Sequence, residues 1–151
     1  MGAVTYPDRN VIEFIRDNFI PLQVPFDGQP LAANFNVKWT PTLVTLGPDG
    51  REHHRTVGFL DPAELIASLL LGIGKYHFDH DRFAEAVATF DTMIIDYPAS
   101  DSVPEALYLS GVSRFKEGHN PAFLKETYEK LEKDYPGNEW TKRASPYRLI
   151  D

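Results

Sequence analysis

The run Val37-Lys38-Trp39-Thr40-Pro41-Thr42-Leu43-Val44-Thr45-Leu46-Gly47-Pro48-Asp49-Gly50-Arg51-Glu52 restricts this chain more than any other stretch. An aromatic-Thr-Pro-Thr turn feeds residues 43–46, which have the composition of a buried strand. Pro48-Asp49-Gly50 supplies reversal chemistry, with Gly50 free to take positive φ. Residues 51–57 read as the polar return strand, and Val57-Gly58-Phe59 follows.

Elements are legible on both sides of this hairpin. Asp8 is placed to cap a helix whose apolar face is Val11, Ile12, Phe14, Ile15 and Phe19. Asn18 is its stop. Residues 19–26 read as a strand, and Pro21 and Pro25 confine it to an edge. Residues 29–35 read as a short helix. Beyond the hairpin, Asp61-Pro62 opens a helix in which Leu65, Ile66, Leu69, Leu70 and Ile73 form a broad apolar face.

The pattern then changes to helix pairs with an internal repeat. Gly74, Phe78, Phe83, Ala86, Phe90 and Pro98 match a second set, Gly111, Phe115, Leu124, Tyr128 and Pro136. The first glycines lie 37 residues apart and the closing prolines 38, so an extra residue is expected near Asn120-Pro121. Gly74 and Gly111 allow close helix approach, Phe90 and Tyr128 are expected to fill the gap, and the prolines end each pair. This spacing resembles the tetratricopeptide repeat, whose usual period is about 34 residues. Residues 138–144 read as a final helix capping the stack. Residues 147–151 read as a loose tail.

Composition excludes several functions. The 151 residues are 42% hydrophobic and 25% charged, ordinary for a folded protein. A net charge of −7, with no basic cluster to offset it, argues against nucleic acid and anionic lipid as partners. No stretch has the roughly 20 apolar residues that a membrane helix needs. The N-terminus has no basic start and no long apolar core, so a cytoplasmic location is expected. There is no cysteine, hence no disulfide and no thiolate ligand or nucleophile.

Residues 5–73, and the segment 39–59 most specifically, resemble the later part of a thioredoxin-like fold. The resemblance implies a cis bond at Thr40–Pro41, bordering a groove that binds extended peptide. It also implies a central strand, and a Cys-X-X-Cys turn and helix, that would precede Thr5-Tyr6-Pro7-Asp8. That strand would lie between those at 19–26 and 43–47. Without it both flanking strands keep open edges, which invite pairing. The two strands closing on each other, a neighbouring copy covering the gap, and an extension upstream of Met1 all answer this, and the extension is the expected answer. For the isolated chain, a closed homodimer is expected.

The fold expected is therefore an incomplete α/β thioredoxin-like module at 1–73, followed by all-α tetratricopeptide-like pairs at 74–151, with helix 62–75 shared. Candidate peptide-binding residues are Trp39, Thr40, Pro41 and Thr42, joined by Tyr76, Tyr108 and Arg114 on the repeats. His53 and His54 point to opposite faces of a strand and do not chelate one ion. His77 and His80, near Asp79 and Asp81, read as a solvated helix end. Glu64, Glu85, Glu126 and Glu129 read as solvating. No nucleophile triad, phosphate loop or helical zinc motif is present. The expected function is protein–protein interaction without catalysis, cofactor or metal. The alternative is a fragment of a thiol-disulfide oxidoreductase whose Cys-X-X-Cys lies upstream.

Overall fold

A computed structural model describes residues 1–151, with seven α-helices, one 3-10 helix and a two-stranded antiparallel sheet. Asp8 opens α1 (Arg9–Asn18), its carboxylate accepting from the Asn10 and Val11 amides. That bond satisfies donors with no partner inside the helix. The helix expected at 29–35 is a single turn, α2 (Leu31–Asn34).

Strands β1 (Thr42–Leu46) and β2 (Glu52–Val57) form the hairpin, with Thr42 opposite Val57 and Thr45 opposite His54. A bulge between Thr45 and Leu46 takes up His53 on the facing strand. In the turn, Gly50 has φ 78° and its amide donates to the Gly47 carbonyl at 2.9 Å. The Asp49 carboxylate accepts from the Arg51 amide. The Thr40–Pro41 bond is cis, as is Gln29–Pro30, which the sequence did not single out.

The strand expected at 19–26 does not form. The sheet holds only β1 and β2, so this segment neither extends it nor closes on β1. Every residue from Ile20 to Phe26 is exposed. Pro21 and Pro25 supply no amide donor, and an unpaired strand has nothing to repay the entropy of ordering it.

Asp61 caps α3 (Pro62–Asp79), accepting from the Glu64 amide at 2.9 Å, and Pro62 occupies a position where no donor is needed. The chain divides into two compact units, Met1–Ile66 and Ala67–Asp151, and α3 runs through the division.

The second unit is a run of successive helices. Its elements are the later part of α3, α4 (Phe83–Asp96), α5 (Val103–Gly118) and α6 (Ala122–Asp134), and α7 (Glu139–Ala144) follows. From α4 onward each helix packs on the next. The pairs end alike. Asp81 and His119, near the first turns of the pairs, have φ 56° and 53°. Tyr97 and Tyr135, each before a proline, leave the second helices with φ −129° and −136° and the same ψ of 55°. Proline bars its predecessor from helical geometry, so both stops follow from Tyr-Pro.

Close approach also repeats, with one change. A β-carbon on Gly74 would run into the Phe90 ring, as the spacing predicts. A β-carbon on Gly111 would run into Thr127, not Tyr128. The contact spacing is thus 37 residues in both places, and the 38-residue alignment misses it by one position. Tyr128 is only half-buried, whereas Phe90 is fully buried. The loose tail expected at 147–151 is also corrected: Ser145–Leu149 is a 3-10 helix, and the Tyr147 ring stacks on Tyr108.

His77 gives this unit a pH dependence. Its Nδ1 is buried without a hydrogen-bond partner. Burial, and then the charge of Arg82, hold its pKa below 6.5; His80 acts in the same direction and Glu85 against it. The unfolded chain therefore takes up this proton first as pH falls through about 6.5, and stability declines until the folded pKa is reached. The melting temperature should drop more steeply between pH 7 and pH 5 in the parent than in His77→Gln. Equal slopes would contradict this assignment.

Candidate functional site

The first unit keeps few side chains dry. Thr5 is fully buried, its hydroxyl donating to the Leu60 carbonyl at 2.6 Å, and Val11, Ala32, Thr45 and His53 are buried with it. Much larger apolar groups face outward, among them Trp39 at 68% exposure and Phe59 at 60%.

An open depression of about 350 Å³ is lined by Phe35, Asn36, Lys38, Trp39, Thr42, Arg55 and Val57. Three local devices build it. The Thr42 hydroxyl donates to the Trp39 carbonyl at 2.6 Å and closes the turn through Thr40 and Pro41. Asn36 takes φ 50°, a left-handed conformation that asparagine tolerates. Arg55 reaches from β2 to the Phe35 carbonyl at 2.8 Å, tying the loop to the hairpin.

Arg55 is also held by Glu52 through two hydrogen bonds, of 2.8 and 2.7 Å. The bond from Arg55 keeps the Glu52 carboxyl below its usual range, and the same bond raises Arg55. This cation is therefore already matched. Lys38, exposed at the rim, is the remaining charge among the lining residues. The lining offers aromatic and aliphatic area, an amide and a hydroxyl. It contains no pair of carboxylates.

The hairpin sets what lies beside the depression. The Gly58 amide donates to the Pro41 carbonyl at 2.9 Å. Alternation along an antiparallel pair then turns Leu43 and Thr45 toward β2, and Thr42, Val44 and Leu46 away from it. With only two strands in the sheet, that side of β1 has no strand beside it.

Of the seven expected residues, Trp39 and Thr42 line the depression, and Thr40 and Pro41 form the turn between them. The other three enter three different clusters. Tyr76 packs against His77 and His80, with the Arg82 guanidinium 4.9 Å above its ring. Tyr108 meets Trp140 and Tyr147, and its hydroxyl lies 3.0 Å from that of Tyr147. Arg114 pairs with Asp91, which also accepts from the Ser110 hydroxyl. Phe35, Asn36 and Lys38 lie on the loop that leads into Trp39, and Arg55 and Val57 on β2; they were missed because only the folded chain sets that strand against that loop. The only sequence signal was an arginine midway along the return strand.

No group of three or more histidine or acidic side chains is placed to hold a metal ion. No helix is long and apolar enough to cross a membrane. No protein-family model, curated protein or solved structure matches the chain.

Proposed function

We propose that this chain is a protein–protein interaction module that takes an extended peptide along the open side of β1, with Trp39 as the aromatic anchor. The observation that carries this reading is the juxtaposition at Thr42. There the outward amides of β1 begin, beside a depression rimmed by an exposed tryptophan. Strand addition draws affinity from main-chain bonds and selectivity from pockets beside the strand. The cis Thr40–Pro41 turn, the hairpin and the following helix support a thioredoxin-like reading of the first unit. The matched helix ends support a tetratricopeptide-like reading of the second.

No catalytic step is assigned. Thiol-disulfide exchange needs a thiolate, and the chain has no cysteine.

Displayed random peptides selected on the protein give the test. The selected sequences should be extended, with alternating apolar residues, and binding should perturb the Trp39 indole. Trp39→Ala should weaken them about tenfold, in the range of an aromatic anchor. Peptides that bind Trp39→Ala as well as the parent would contradict the reading.

A further inference from the structure

Residues 20–26 read Ile-Pro-Leu-Gln-Val-Pro-Phe. By residue class this is a palindrome about Gln23: apolar, proline, apolar, glutamine, apolar, proline, apolar. We propose that this segment is a self-complementary strand that pairs antiparallel with the same segment of a second copy, about a two-fold axis at Gln23.

The backbone favours it. Phe19 enters with φ −136° and ψ 158°, and proline holds the residue before it extended, here Ile20 and Val24. In an extended strand, alternate residues direct their amide and carbonyl to opposite edges. Pro21 and Pro25 fall on one edge, where they remove two donors, and the Pro25 carbonyl is taken by the Gly28 amide at 2.8 Å. The opposite edge keeps the amides of Ile20, Leu22, Val24 and Phe26. Only that edge can pair.

The palindrome makes the matching strand a second copy of this one. With Gln23 opposite Gln23, Leu22 faces Val24 of the second copy and Val24 faces its Leu22. These inner pairs give about four inter-strand hydrogen bonds. The prolines fall in the positions that need no donor, opposite each other.

The side chains agree with the backbone. Ile20, Leu22 and Val24 share one face of the extended segment and are 99%, 79% and 38% exposed, and Phe26, in the turn that follows, is 56% exposed. The segment carries no charge, so self-pairing sets no like charges opposite each other in a chain of net charge −7. The outer edges of the ribbon carry the prolines, which stop a third strand from adding and close the assembly at two.

A proline scan read by sedimentation velocity tests the parity. The parent should form a weak, reversible dimer with a dissociation constant of about 10–100 μM. Leu22→Pro and Val24→Pro remove inward donors and should weaken it at least about tenfold. Gln23→Pro removes an outward donor and should stay within about threefold. The segment lies outside every helix, so helical circular dichroism should be unchanged in all three. Trp39→Ala should leave the dimer intact, which separates this inference from the peptide-binding reading. A monomer throughout that range, or equal weakening by Leu22→Pro and Gln23→Pro, would overturn it.

Discussion

Phe90→Ala should destabilise the helical unit by about 3–5 kcal/mol. Phe90 is 0% exposed, lies in α4, and its ring sits where a β-carbon of Gly74 would otherwise stand. Removing the ring takes away its transfer free energy and opens a cavity between two helices. The surrounding helices cannot fully collapse into it, because interiors are packed like crystals. In urea, followed by helical circular dichroism, the midpoint should fall by about 1–5 M. An unchanged midpoint would mean that the ring does not fill the space beside Gly74.

Gly74→Ala should also be costly, by about 1–3 kcal/mol, although alanine is the better helix former. An added methyl there collides with three atoms of the Phe90 ring. The two effects must be coupled. With Phe90 already alanine, the methyl enters the vacated space, so Gly74→Ala should cost at least about 1 kcal/mol less than in the parent. The same cost in both backgrounds would show that Gly74 is required for some other reason. Gly111→Ala should behave similarly against Thr127.

The legible parts of the fold were those determined locally. Asp8 and Asp61 cap helices within two or three residues of themselves, and both could be read from the chain. Pro48-Asp49-Gly50 fixes its own turn. The repeat was legible from glycine and proline spacing, but the facing residue was misplaced by one. The rotation of α6 that puts Thr127 over Gly111 depends on packing, which spacing does not record.

The failures share a cause. Residues 19–26 have the alternation of a strand, but a strand needs a neighbour, and the sheet provides none. Alternation reports what a segment is suited to, not what stands beside it. Tyr147 looked like tail because nothing near it in sequence holds it, yet its partner Tyr108 lies 39 residues away. Arg55 joins the candidate site through a carbonyl 20 residues earlier, a link without any motif.

Amide hydrogen exchange along β1, in the free protein and when saturated with a selected peptide, tests the central claim most directly. Leu43 and Thr45 face β2 and should be protected in both states. Thr42, Val44 and Leu46 should exchange quickly when free and slow at least about tenfold when bound, as a new strand bonds to them. A saturating peptide that leaves those three rates unchanged would show that the open side of β1 is not where this protein meets its partners.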